Sequence, residues 1–166
     1  MPDRKTLERA AADRRKGKAP STQAGEFVRE EMHHVRRGKH GARSTKQAIA
    51  IGLSKARRAG VDLAPPKKGS TSERTRMSAK RAYQAGHKGT KKPVSSRRSR
   101  AVEAALKREP HAAASRASLS RQAKAAARRR SASDRSTAAR RAATAKGAKG
   151  RSTAARKAAR TRARHA

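Results

Sequence analysis

STQAGEFVREEMHHVRRGKHGARSTKQAIAIGLSKARRAGVDL, residues 21–63, is the stretch whose reading decides the fold. In its first half Ala24, Phe27, Val28, Met32 and Val35 recur at helical spacings, an apolar stripe with charge opposite. In its second half Ser44 and Gln47 stand in capping-box register, the side chains that satisfy the first free N–H groups of a helix. Ile49, Leu53 and Ala56 then line one side, with Ile51 beside them. Gly60 followed by Val61 reads as a Schellman ending, Val61 folding back on Ala56. Gly38-Lys39-His40-Gly41 is the loop between the halves. The spacing predicts a helical hairpin, with Phe27 and Ile51 packed near one another.

Outward from that stretch, composition limits what else can fold. The chain has 166 residues, 47 of them Lys or Arg and 11 Asp or Glu, for a formal net charge of +36. Its only aromatic residues besides histidine are Phe27 and Tyr83, and alanine supplies most of its apolar fraction. Such a composition offsets little chain entropy, so most of the chain outside the hairpin is expected to be disordered when alone. There is no cysteine, which excludes disulfides and thiolate metal sites. No apolar run has the length of a membrane helix or signal-peptide core, so a cytoplasmic protein without membrane contact is expected. The fold class expected is all-α: a small hairpin with a largely disordered, helix-prone basic tail.

Punctuation divides the rest. Residues 1–20 read as a flexible basic arm whose short helix, capped by Asp3 and ended by Gly17, carries one large apolar residue, Leu7. Residues 64–69, with Pro65-Pro66, form a linker, because proline forces its predecessor out of helix. In 70–100, Ser70 and Glu73 suggest a capping box for a helix ending at Gly86, followed by a loop. Residues 101–166 are low-complexity Ala/Arg/Lys/Ser sequence, in which RSTAARRAA at 135–143 returns as RSTAARKAA at 151–159. Alanine and arginine favour helix, while neighbouring like charges oppose it in water.

Little of this supports reaction chemistry. Glu30, Glu31, His33, His34 and His40 are the one cluster of potential metal ligands, and Glu30 and His34 share a helical face. They read as an exposed intrahelical pair beside Arg36 and Arg37, so neither metal nor cofactor is expected. The serines lie in Ala/Arg runs with no base held near them, and there is no GxxxxGK[ST] loop. An enzyme is not expected, and no catalytic residue is nominated.

Charge is the positive signal. Residues 67–166 carry a net of +27 against +9 for residues 1–66. Base stacking, the usual device of single-strand readers, has almost no aromatic side chains to work with. Contact with the phosphate backbone by Arg and Lys fits instead, and arginine outnumbers lysine 30 to 17. The candidate contacts begin with Arg97, Arg98 and Arg100, then Arg116, Arg121 and Lys124, then Arg128, Arg129 and Arg130. They continue through Arg140, Arg141, Lys146, Lys149 and Arg151, and through Arg156, Lys157, Arg160, Arg162 and Arg164. Secondary candidates lie on the hairpin: Arg43, Lys46, Gln47, Lys55, Arg57 and Arg58. A helix-turn-helix reading of the hairpin would place Lys46 and Gln47 at the head of its second helix, but its loop is longer than the usual turn.

The block KHGARSTKQAIAIGLSKARRAG, with GEFVREEMHHVRRGKHG overlapping its start, resembles an uncharacterised family of small basic bacterial proteins. Some of its members carry DNA-binding or plasmid-stabilisation labels. The resemblance covers about residues 20–68, implies a bacterial nucleoid setting and supplies no site residues. The tail resembles the Ala/Lys-rich extensions of bacterial linker-histone-like proteins in composition, but favours Arg and lacks spaced Pro-Ala-Lys units. The function expected is duplex-DNA binding without sequence preference, as a nucleoid-associated, histone-like protein that helps compact DNA. Two alternatives stand beside it: an RNA- or ribosome-associated polycation, and a hairpin that docks a protein partner while its tail is tethered to DNA.

Overall fold

The computed structural model describes residues 1–88 and 95–164, and every regular element among them is helical. Seven α-helices follow in order among these residues: α1 Arg4–Arg15, α2 Pro20–Arg36, α3 Thr45–Arg58, α4 Glu73–His87, α5 Ser96–Lys107, α6 Arg116–Arg128 and α7 Ala132–Ala163, with a 3₁₀ turn at His111–Ala114 before α6. They fall into two compact units, Met1–Gln122 and Ala123–Ala166.

The hairpin of α2 and α3 is the centre of the first unit and its most extensive helix pair. Ser44 Oγ accepts from the Gln47 N–H at 3.2 Å as the spacing predicts, while Gln47 Oε1 accepts from the N–H of Arg43, the residue before the cap, at 2.8 Å. Gly60 turns the chain at φ 87°, the Val61 N–H reaches the Ala56 carbonyl at 3.1 Å, and Val61 is buried beside Ala56. Val61 is where the helix signal and the packing signal agree.

Two small clusters make the core. Phe27 packs with Ala10, Ala24, Ala56 and Val61, with Leu53 and Leu63 at its edge. Met32 and Val35 pack with Ala42, Ala48, Ala113 and Ala114, flanked by Val28, Ile49 and Leu119. Ile51 is half-buried and belongs to neither cluster, so the expected pairing of Phe27 with Ile51 is replaced by Phe27 with Leu53 and Ala56. The reason is register: Gly52 puts α3 so close to α2 that an added Cβ would lie 2.7 Å from the Val28 Cα, and Ile51 is turned off that line of contact.

The neighbours of the hairpin differ from the sequence reading in four ways. First, α1 is docked rather than loose, and through small residues: Thr6 and Ala10 are buried while Leu7 stays exposed. Arg9 Nε to Glu26 Oε2 at 2.6 Å fastens it to α2. Second, α4 is capped by Ser72, whose Oγ accepts from the Thr75 N–H at 3.3 Å, not by Ser70. Third, Gly86 does not end α4 but lies inside it, where an added Cβ would meet the Arg57 carbonyl oxygen at 2.0 Å. Glycine serves there as a contact point between α3 and α4.

The fourth difference is the largest. The architecture is not a hairpin with a disordered tail: the C-terminal half is helical, and residues 106–119 pack onto the hairpin. The Gly41 N–H donates to the Leu106 carbonyl at 2.8 Å and the Ala42 N–H to the Pro110 carbonyl at 3.0 Å. Thr45 Oγ1 donates to the Ala113 carbonyl at 2.6 Å, and Arg36 Nε to the Ala114 carbonyl at 2.9 Å. Ala113 and Ala114, read as low-complexity sequence, are thus core residues packed in the cluster with Val35. The loop expected at 89–96 lies mostly outside the described residues.

Gly41 makes this docking testable. A Cβ there would lie 1.7 Å from the Glu109 carbonyl oxygen, a backbone atom that cannot step aside alone. Gly41→Ala is expected to release residues 103–115 to protease in limited digestion, while α2 and α3 stay protected; equal resistance of the two proteins would refute the contact.

Candidate nucleic-acid interface

Helix α7 carries the repeat. It is broken at Gly147 (φ 65°, ψ 171°), a conformation open to glycine, so each copy of the repeat occupies its own helical arm. Arg151 Nη1 donates to the Ala143 carbonyl at 2.8 Å across the break. No residue of α7 among those described is buried. Arg156, Arg160 and Arg164 follow at one-turn intervals and Arg140, Arg141, Lys146, Lys149, Arg151, Lys157 and Arg162 are exposed around them. The unit from Ala123 onward holds 15 basic residues and one acidic residue, Asp134. The Asp134 carboxylate is engaged at the helix start, where its Oδ2 accepts from Ser131 Oγ at 2.7 Å. No described cation of α7 is in an ion pair.

The remaining tail candidates divide between two helices. Arg97, Arg98 and Arg100 are exposed on α5, and Arg116, Arg121, Lys124 and Arg128 on α6, with Arg129 and Arg130 in the turn that follows. Arg121 Nη2 also donates to Ser118 Oγ at 3.1 Å. Acidic residues of the first unit are largely neutralised internally, as in Arg4–Glu8, Lys18–Asp13, Arg76–Glu73 and Lys107–Glu103. Those pairings leave the other surface cations free to meet an anion.

The hairpin candidates separate cleanly. Arg43, Lys46 and Arg58 are exposed. Gln47 is committed to the α3 cap through its Oε1. Arg57 is buried, and its Nε and Nη2 donate to the Leu63 and Ala64 carbonyls at 3.0 and 3.3 Å; burial lowers its pKa from the ordinary arginine value. Lys55 Nζ lies 2.6 Å from Glu31 Oε2. Those three side chains hold the fold together rather than face a ligand. Exposed Arg74, Lys80 and Arg81 on α4 were missing from the sequence reading, although Arg74 and Arg81 stand two turns apart on one helical face.

Both aromatic side chains are occupied. Phe27 is buried in the core, and Tyr83 stacks on His87 with ring centroids 4.0 Å apart while its hydroxyl donates to Asp62.

A second group of residues departs from expectation. Glu30 and His34 are not an exposed pair: with Glu31 they are buried on α2, and only His33 of that run is exposed. Glu31 continues the line of Ala24 and Phe27, three and four residues at a time, so the apolar stripe runs through a carboxylate. His40 Nε2 lies 3.1 Å from Glu31 Oε1, and His34 Nε2 lies 3.6 Å from Asp3 Oδ2 and 3.8 Å from Glu30 Oε1. Burial, with Lys39 and Lys55 nearby, lowers the His34 pKa from the ordinary imidazole value, against the opposing pull of Glu30 and Glu31. No helix of the described residues is long and apolar enough to cross a membrane.

No curated protein and no solved structure matches the chain. Residues 4–68, from α1 through the Pro65-Pro66 segment behind α3, match a family described as a family of unknown function (DUF6496), and α4 to α7 lie beyond that match.

Proposed function

We propose that this protein binds duplex DNA without sequence preference, as a nucleoid-associated protein whose tail neutralises phosphates and helps compact the duplex. The observation that carries the reading is the second unit: the end of α6 and the two arms of α7, with no described residue buried in α7 and 15 basic residues against one acidic in the unit. Each phosphate neutralised releases condensed counterions, which makes affinity electrostatic and indifferent to sequence. The burial of Phe27 in the core and the engagement of Tyr83 by His87 and Asp62 at the surface argue against stacking of unpaired bases, and the capping role of Gln47 argues against base readout by α3.

The arms of α7 bury nothing, so in water their helical content rests on alanine propensity against arginine–arginine repulsion. Phosphates remove the repulsion and tip the balance toward helix. A peptide of residues 123–166 is expected to gain helical signal by circular dichroism on adding duplex DNA. An unchanged spectrum at saturation would refute a gain of helix on binding. In the companion competition, unlabelled duplex DNA of unrelated sequence is expected to displace a labelled duplex as well as its own sequence does. Preferential displacement by duplex RNA would assign the tail to RNA instead.

A further inference from the structure

We propose that Glu31, His34 and His40 form a site for one divalent transition-metal ion, with zinc(II) the ion that suits their mixed imidazole and carboxylate chemistry. Their ligand atoms lie within 4.8 Å of one another, and Asp3, Glu30 and His34 form a second such triplet that shares the His34 ring. A tetrahedral zinc with bonds of about 2.0–2.1 Å needs ligand atoms roughly 3.3–3.4 Å apart. Glu31 Oε1 and His40 Nε2 stand at 3.1 Å already, and the His34 ligand atom, within 4.8 Å of both, has to approach them to close the site. The fourth position falls to water or to a carboxylate of the second triplet.

Unmet polar atoms point the same way. Among the described residues, Glu30 Oε1, both Glu31 oxygens and His34 Nε2 are buried without a hydrogen-bond partner. The Glu31 carboxylate is 1% exposed, and the ammonium of Lys55 meets only one of its oxygens, as an ion pair outside hydrogen-bond geometry. His40 Nδ1 lies 3.0 Å from the Gly41 carbonyl oxygen, which can only accept, so Nδ1 carries the proton. In the neutral ring that leaves Nε2 with a lone pair aimed at a carboxylate oxygen, a contact that either a metal ion between them or a second proton on the ring satisfies. A carbonyl behind the imidazole is the usual device that orients a metal-bound histidine.

Charge agrees. Three carboxylates, Asp3, Glu30 and Glu31, gather there against the ammonium groups of Lys55 and Lys39, in a chain otherwise strongly positive. A divalent ion would offset the remaining negative charge and join the middle of α2 to the loop that leads into α3. In a unit with so thin a core, ion binding would add directly to folding stability.

The test uses the full-length chain stripped with chelator and titrated with zinc(II) by calorimetry, and with cobalt(II) for its ligand-field absorption. One ion per chain is expected, with a tetrahedral cobalt spectrum and a raised melting temperature. His34→Ala and His40→Ala are expected to weaken binding at least about a hundredfold, whereas His33→Ala, one residue away but exposed, leaves it unchanged. His40 lies in a loop, so His40→Ala keeps the comparison alive if His34→Ala does not fold. Absence of saturable binding, or equal binding by His33→Ala and His40→Ala, would overturn the site and leave Glu31 as the partner of Lys55 and a protonated His40.

Discussion

A chain ending at Gln122 is expected to lose duplex-DNA affinity by at least about a hundredfold at moderate salt, since the cations removed are those most free to meet phosphate. The cut falls between the two compact units and shortens α6 three residues after Leu119, so every residue of the core clusters and the docked segment 106–119 stays in the chain. A cut at the Pro65-Pro66 linker would be a poorer experiment, because it would strip Ala113, Ala114 and Leu119 from the cluster around Val35. The first unit is not neutral: it holds 32 basic and 10 acidic residues. Many of those carboxylates are paired with its own cations, as Glu31 is with Lys55 and Glu26 with Arg9. Fluorescence anisotropy with a random duplex reads the difference. Unchanged affinity in the shortened chain would place the interface on the helical core, with Arg74, Lys80, Arg81 and Arg58 the first cations to replace.

The largest stability effect is expected at Gly52. Its α-carbon faces α2 so closely that a Cβ would approach the Val28 Cα at 2.7 Å, the Val28 N at 3.0 Å and the Phe27 carbonyl oxygen at 3.1 Å. All three are backbone atoms, so no side-chain rotation relieves the contact, and the two helices must move apart. Overpacking of this kind costs about 1–3 kcal/mol or more. A small domain has only about 5–15 kcal/mol in total. Gly52→Val is therefore expected to lower the denaturant midpoint and to reduce amide protection in α2 and α3, measured by hydrogen exchange. Ile51→Asp, at a half-buried position outside both clusters, is expected to cost much less. The reverse order of the two would mean that α2 and α3 pack in another register.

The hairpin was legible because its signals are local. Ser44 with Gln47, Gly60 with Val61, and the stripe through Phe27 each work within a few residues of their partners. What stayed hidden was non-local or carried by small residues. Nothing near Ala113 or Thr45 announces that they meet across 68 positions, and alanine in an Ala/Arg run has no sequence mark of burial. Gly86 reads as a helix stop, since nothing local says that the end of α3 crosses there. The buried charges were partly legible: Glu31 falls on the same stripe as Ala24 and Phe27, yet a carboxylate on an apolar line is ordinarily turned outward. The tail candidates were found by charge alone, and the same criterion over-reached at Lys55 and Arg57, whose partners belong to the fold.

The salt dependence of duplex binding by the full chain tests the central claim most directly. With ten or so phosphates neutralised, log affinity should fall linearly with log salt at a slope of about −0.9 per contact, a loss on the order of a thousandfold or more from low to moderate salt. A shallow slope, equal to one or two contacts, would contradict binding by the polycationic tail.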